Sequence, residues 1–339
     1  MSDYRYQPLT DQWVLVAENR EQRPNDYRPR ADYQPDRPCP FCVGQEPSTP
    51  EALAFYPGSS RLGEWLVRVV PNKYPALTPA KTQPRETHGP YQRMVGFGIH
   101  ELIVLSPRHV ESFSELDGPE RHTTLVAFQD RVRLAWTWPE IEHVVLFENC
   151  RPDAGASIQH VHCQMIATAV VPSETRQRTL RQESHRERTG RTWLEEIVAY
   201  EAEQQARVVF EADGLIAFCP FASRLPYELW IAPTDSEQQP AFETLTTCEL
   251  HHVADAMSRA VRALEQALPG AAYNIVIHLP PRIPGGPVQP RGHWMVEIFP
   301  RVNKTAGFEW ATGCMITQLS PETAATRLRT AASTHAESP

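Results

Sequence analysis

Lysine is nearly missing from this chain: Lys73, Lys81 and Lys304 are the only lysines among 33 basic residues. A phosphate held here is therefore held mainly by guanidinium forks, backbone N–H groups and neutral donors, not by ammonium point charges. Long apolar runs are also missing. None approaches the roughly 20 residues that span a bilayer, and the polar opening Met1-Ser2-Asp3-Tyr4-Arg5 has no signal-peptide apolar region. The expectation is a cytoplasmic protein with no membrane partner. Basic excess is absent as well: a net charge of -8 argues against nucleic acid as the main partner, because phosphate-backbone binding needs a basic face. Seven cysteines make an odd set, which disfavours a disulfide framework and leaves metal binding or burial. What is present is a 41% hydrophobic content over 339 residues, enough to bury a sizeable core in one large domain or two intimately joined ones.

The apolar runs recur twice in one order. Leu66 to Val70, then His100-Glu101-Leu102-Ile103-Val104-Leu105-Ser106-Pro107, a helix, Val144 to Asn149 and a His-x-His strand make the first set. Leu215 to Phe218, Tyr227 to Pro233, a helix, Tyr273 to His278 and His293 to Glu297 make the second. Glu101 pairs with Glu228 and His160 with His293, at offsets of about 130 residues, and a duplication this long predicts two similar α+β units. Helix starts are legible at Asp117-Gly118-Pro119-Glu120, at Thr246 with Glu249, and at Ser320-Pro321-Glu322, the last running to about Arg329. Leu125, Phe128, Val132 and Leu134 form the first apolar stripe; Leu250, Val253, Met257, Val261 and Leu264 form the second. Residues 174 to 205 read as a solvated helical connector, and residues 280 to 292, with five prolines and three glycines, as a covering loop.

The densest chemistry is His160-Val161-His162-Cys163-Gln164, preceded by Gly155-Ala156-Ser157. On a strand His160, His162 and Gln164 share one face, and imidazole suits either attack on phosphorus or zinc ligation. The alternative is two polar histidines on the wet face of an edge strand. The second set has His293, Met295 and Glu297 at these positions; a thioether is no phosphoryl nucleophile, so the first set is expected to carry the chemistry. Cys39-Pro40-Phe41-Cys42 has the form of a zinc knuckle needing two further ligands, for which His109 and His160 are chosen among thirteen histidines. A redox role is disfavoured because no βαβ pattern follows. Such a zinc is structural and holds His162 in register. Cys150, Cys163, Cys219, Cys248 and Cys314 read as small buried or loop residues. Asn72 and Lys73 either touch a base or ribose or make a turn. Trp13, Trp65 and Trp230 are assigned to the core, and Glu148 to a partner of the loop or the zinc shell.

The order Arg20-x-x-Arg23-Pro24, Cys39-x-x-Cys42, Ser106-Pro107-x-His109, Asn149, Gly155-x-Ser157, His160-x-His162-x-Gln164 resembles the galactose-1-phosphate uridylyltransferase family of the histidine-triad superfamily. The resemblance continues through Pro220-Phe221-Ala222-Ser223-Arg224 and Gly307-Phe308-Glu309. It implies an α+β fold of two histidine-triad-like repeats, residues 1–178 and 179–339, forming an antiparallel half-barrel with packed helices. It also implies a homodimer whose sites draw on both subunits. By resemblance His162 is the nucleophile, Gln164 and Ser157 contact phosphoryl oxygens, and Asn149 positions the nucleotide; Gly155 and, from its place after a strand, Asn72 are counted with it as substrate-binding residues. Arg20 and Arg23 reach the diphosphate from the neighbouring subunit, while Phe308 and Glu309 bind sugar hydroxyls. Cys39, Cys42, His109 and His160 match the zinc ligands. The family's second metal is expected to be absent, because Arg178 and Met295 stand where two of its ligands would. Val161 also replaces the proline that many members carry between the histidines.

The implied activity is ping-pong transfer of a nucleotide from a nucleotide sugar to a sugar 1-phosphate through a nucleotidylyl-histidine, as in galactose metabolism. The segment Gly307 to Cys314 lacks the family's glutamine and is similar to plant-type ADP-glucose phosphorylases, so phosphate is the alternative acceptor. A zinc-stabilised nucleotide-binding protein without turnover is the third reading.

Overall fold

Period-two alternation of apolar and polar residues builds the strands, and capped 3.6-residue stripes build the helices. The computed structural model describes residues 2–20, 38–57, 65–79, 85–235, 241–282 and 293–333. In chain order its strands are β1 (Asp3–Gln7), β2 (Gln12–Val16), β3 (Ala54–Tyr56), β4 (Val67–Pro71), β5 (Glu86–His88), β6 (Tyr91–Arg93), β7 (Gly98–Val104), β8 (His143–Cys150), β9 (His162–Thr168), β10 (Val208–Ala212), β11 (Leu215–Phe218), β12 (Leu229–Pro233), β13 (Tyr273–His278), β14 (Met295–Pro300) and β15 (Met315–Thr317). The helices are α1 (Gly118–Ala135), α2 (Ser173–Thr189), α3 (Trp193–Gln204), α4 (Thr247–Ala267), α5 (Gly307–Thr312) and α6 (Pro321–Ser333).

Ten strands join one antiparallel sheet in the order β10-β11-β12-β14-β13-β8-β9-β7-β4-β3. The order has a centre: β8 lies beside β13, with Phe147 opposite Val276. Moving outward, β9, β7, β4 and β3 on one side answer to β14, β12, β11 and β10 on the other. The register matches too, since Gln164 lies opposite Phe147 and Leu102 just as Glu297 lies opposite Val276 and Trp230.

This register corrects the expected partner of Glu101. Glu228 answers to His100, and Glu101 answers to Leu229; a slip of one residue in a strand is a change of face. Glu101 accordingly turns toward α1, where Arg131 donates to it at 2.6 and 2.8 Å. Glu228 turns the other way and accepts from Trp230 Nε1 at 3.1 Å.

Helices α1, α4 and α6 cover one face of this sheet. Val144, Leu146 and Cys150 of β8 enter that core with Leu125, Phe128, Val132, Leu250, Met257, Val261 and Leu328. Both expected capping boxes form, Asp117 with Glu120 and Thr246 with Glu249, each contributing about 1 kcal/mol. Leu134 leaves the predicted stripe and is 41% exposed, because it lies about 200° around the helix from Val132. Helix α6 runs to Ser333, beyond the expected end at Arg329.

The opposite face explains a second correction. The segment read as a solvated connector is two helices separated at Gly190, whose φ of 83° is left-handed. α3 is no mere connector, since Leu194 and Val198 close a second core with Ile216, Phe218, Trp230 and Met295. Trp65 and Trp230 are buried as expected, but Trp13 is 53% exposed and lies against Tyr6. It points outward from the separate three-stranded sheet β1-β2-β15, whose inner face is taken by Val14 and Val16.

Candidate active site

The Cys39–Cys42 turn is closed by Cys42 N–H donating to Cys39 O (3.3 Å) and Gln45 N–H donating to Cys42 O (3.1 Å), with Gly44 at a φ of 84°. Val43 N–H donates to Pro107 O at 3.0 Å, which ties the turn to the loop carrying His109. Below it the buried Arg68 donates to Pro40 O and Thr49 Oγ1. The ligand atoms of Cys39, Cys42, His109 and His160 thereby converge within 4.8 Å of one another. Sulfur-to-nitrogen separations are 3.4, 3.6 and 3.7 Å. Tetrahedral zinc, with Zn–S about 2.3 Å and Zn–N about 2.0–2.1 Å, sets such atoms about 3.6 Å apart, so these four residues can hold a metal ion without rearrangement.

The protons agree with that geometry. His160 Nε2–H donates to Ser106 O at 2.9 Å, which leaves the Nδ1 lone pair facing the sulfurs. Burial keeps the ring neutral by lowering its pKa to about 4. Burial, followed by the Cys39 charge, pushes the Cys42 thiol up to about 11. A nearby cation reverses that shift and makes the thiolate pair tenable.

Strand β9 begins at His162, so His160 lies just before the strand and not within it. The displacement has a use. The free carbonyl of His160 accepts from His162 Nδ1–H at 2.7 Å, which fixes the tautomer and leaves a lone pair on Nε2. Burial lowers the His162 pKa, so the ring is neutral near pH 7. Phe41, between the two cysteines, packs 5.1 Å from the His162 ring. The Cys39–Cys42 turn and the candidate nucleophile are thus linked through one backbone carbonyl and one aromatic contact.

Gln164 follows His162 on the same face. Its Oε1 lies 2.9 Å from His100 Nε2 on the neighbouring strand β7. Asn72 approaches the same nitrogen at 3.0 Å while its Oδ1 accepts from Tyr74 N–H, so Asn72 does make a turn. Asn149 Oδ1 accepts from Asn274 Nδ2 at 2.7 Å, and the same amide donates to Ala154 O at 2.9 Å. That bond draws the loop before β9 onto the centre of the sheet, and Gly155 supplies the left-handed turn at a φ of 98°. Ser157 lies beyond this turn and is exposed.

Some expected residues lie elsewhere. Phe308 and Glu309 are on α5 beside the small sheet, where Glu309 accepts from Ala306 N–H at 3.0 Å. Arg20 ends a helical turn, but its side chain and all of Arg23 lie outside the described residues, as do residues 283 to 292 of the predicted covering loop. Glu148 serves neither the loop nor the metal shell. It points toward the helices, where burial and then Glu265 raise its pKa to about 8. Sequence reasoning passed over His100, Asn274 and Arg68. Each had a signal, being a polar or charged residue inside a strand otherwise read as apolar.

The second half answers this face differently. Arg224 is paired with Glu228 and Glu297, His278 Nε2–H donates to Glu297 at 2.7 Å, and Arg178 Nη2 donates to His278 Nδ1 at 2.9 Å. Met295 packs in the second core.

Residues 1–172 match a family model described as galactose-1-phosphate uridyl transferase, N-terminal domain, and residues 111–337 match one described as a domain of unknown function (DUF4921). The chain is 31% identical over 334 residues to ADP-glucose phosphorylase of Arabidopsis thaliana, covering 96% of this chain and 92% of that protein. It is 27% identical over 236 residues to galactose-1-phosphate uridylyltransferase of Thermotoga maritima, covering 69% and 67%. A crystal structure of an ADP-glucose phosphorylase from Arabidopsis thaliana with bound ADP-glucose superimposes with a TM-score of 0.81 at 28% identity, covering 97% and 99% of the two chains.

Proposed function

Since the chain belongs to the galactose-1-phosphate uridylyltransferase family and is a nucleotidylyl-transferring enzyme, we propose that it moves a nucleoside monophosphate from a nucleotide sugar to a phosphate-bearing acceptor through His162. The observation that carries this reading is the 2.7 Å bond from His162 Nδ1–H to His160 O, which leaves Nε2 unprotonated. Nε2 attacks the α-phosphorus, the bond from that phosphorus to the sugar 1-phosphate breaks, and the leaving group departs with its electron pair. The nucleotidylated ring is cationic, and its Nδ1–H remains on the His160 carbonyl. The acceptor oxygen then attacks phosphorus, and the Nε2–P bond breaks to restore the neutral imidazole. Gln164 and Ser157 donate to the phosphoryl oxygens, and Asn149, Gly155 and Asn72 position the nucleotide.

Two acceptors fit this scheme. A hexose 1-phosphate, galactose 1-phosphate above all, makes the enzyme a uridylyltransferase; inorganic phosphate makes it a sugar-nucleotide phosphorylase. The second is favoured by one observation: the chain is 31% identical to ADP-glucose phosphorylase over 96% of its length, against 22–24% to galactose-1-phosphate uridylyltransferases that match as much of it.

We read Cys39, Cys42, His109 and His160 as ligands of one structural zinc, which would hold the carbonyl that orients His162. The guanidinium of Arg178 against His278 supports the absence of a second metal there. The strand order that reads alike from both ends supports two histidine-triad-like repeats, residues 1–178 and 179–339, in an antiparallel half-barrel. With Phe308 and Glu309 on α5, beside the separate small sheet, we read the site as completed in a homodimer, Arg20 and Arg23 reaching over from the other subunit. A thiolate knuckle suits the reducing cytoplasm.

The test is incubation with ADP-glucose or UDP-glucose and a search by mass spectrometry for a nucleotide on His162. Release by phosphate against galactose 1-phosphate then assigns the acceptor. Full turnover by His162→Ala removes the mechanism.

A further inference from the structure

We propose that His100 is a positioning residue that orients the Gln164 amide, keeping its NH2 group turned toward the transferred phosphoryl group. The inference rests on the function proposed above and adds a residue to it. Its basis is the bonding around the two imidazole nitrogens. Ala76 N–H donates to His100 Nδ1 at 3.1 Å. A backbone N–H can only donate, so Nδ1 carries a lone pair and the ring proton of the neutral imidazole sits on Nε2. Nε2–H donates to Gln164 Oε1, the nitrogen lying 2.9 Å from the oxygen. The oxygen end of the amide is thereby occupied, and both hydrogens of the nitrogen end remain for another acceptor.

Orientation matters because the two ends of an amide differ little in shape and oppositely in charge. An unheld Gln164 can present its oxygen to an anionic phosphoryl group, which repels it, as easily as its NH2, which stabilises it. Strand register supplies the reach. Leu102 lies directly opposite Gln164, so His100, two residues earlier on β7, lies on the same face at the diagonal position. Asn72 Nδ2 also lies 3.0 Å from His100 Nε2. Both are donors, so this is a close approach and not a second hydrogen bond, and the Asn72 amide keeps its hydrogens for a ligand. His100 is braced from behind by the Ala76 backbone, which itself follows the turn made by Asn72.

The experiment is a double-mutant cycle read by single-turnover nucleotidylation of His162 with ADP-glucose, or with UDP-glucose if that is the substrate the wild type accepts. His100→Met keeps volume but removes the donor; it is expected to slow nucleotidylation about tenfold or more with the substrate KM changed less than about twofold. His100→Gln restores a donor near the Nε2 position and is expected to recover most of the rate. In a Gln164→Ala background, His100→Met is expected to change the rate less than about twofold, because the residue it orients is gone. An equal loss in both backgrounds, or a loss in His100→Gln as large as in His100→Met, overturns the inference. If His100→Met does not fold, His100→Leu takes its place in the cycle: a tenfold loss that vanishes in the Gln164→Ala background sustains the inference, and a rate within about twofold of wild type, or a loss that persists in that background, overturns it. Failure of the wild type to form any adduct would instead remove the proposed function, so the two failures are distinguishable.

Discussion

At matching positions of one sheet, the first half carries His162, Gln164, His100 and Asn149, and the second carries Met295, Glu297, Glu228 and His278. The first set is neutral. Its bonds are one-sided, leaving the Nε2 lone pair of His162 and the amide hydrogens of Gln164 uncommitted. The second set holds two buried carboxylates, Glu228 and Glu297, and is spent on itself and on Arg224. Burial pushes Glu228 up to about 7, while burial alone would raise Glu297 and the Arg224 guanidinium outweighs it, holding that carboxyl well below the usual range. The first face retains unfilled bonding capacity, whereas the second fills its own.

The comparison breaks most sharply at residue 162. His162→Ala is expected to abolish the adduct and lower turnover by at least about 10⁴-fold. Met295→Leu, a swap of similar volume, should change steady-state turnover less than about threefold. Next is the metal knuckle: Cys42→Ser, or prolonged chelation, should release about one zinc by atomic emission. The melting curve should then shift as for a loss above about 4 kcal/mol. Third, Arg224→Met strips the counter-charge from two buried carboxylates and is expected to cost about 3–5 kcal/mol in urea unfolding. Part of that loss should return as pH falls and the carboxylates protonate.

The smallest effect is Glu148, which has no counterpart charge because Ile277 holds the matching place on β13. Its folded pKa of about 8 lies above the unfolded value of about 4.3. Between those values the folded chain binds more protons, so this residue's contribution to stability falls as pH rises through that window. Glu148→Gln should therefore flatten the pH dependence of the melting temperature and stabilise by on the order of 2 kcal/mol at pH 8.

Much of the site was legible because its chemistry is local. Cys39-x-x-Cys42 and His160-x-His162-x-Gln164 are spacings, and the capping boxes at Asp117 and Thr246 are spacings too. Misreadings arose where face and register decide. Glu101 and Glu228 each sit in a similar apolar run, and nothing within either run distinguishes a carboxylate facing the helices from one facing the opposite side. His100 looked like the polar start of a strand until Ala76 and Gln164 flanked its ring. Trp13 reads in the sequence as core, whereas it belongs to a small sheet of which only one face is covered. Asn274 acts on a loop about 120 residues away, a distance that no local pattern encodes.

The pairing of Phe147 with Val276 makes the boundary between the halves a row of main-chain hydrogen bonds and not a hinge. Neither half can be cut free without baring the flank of a long central strand, so heat or urea should melt the chain in a single transition. A fragment ending near residue 178 would carry a naked β8 whose best available mate is another β8, docked about Phe147 by twofold rotation. Such a fragment is expected to self-associate through that strand, reproducing with two identical pieces the seam that the intact protein makes with two different ones.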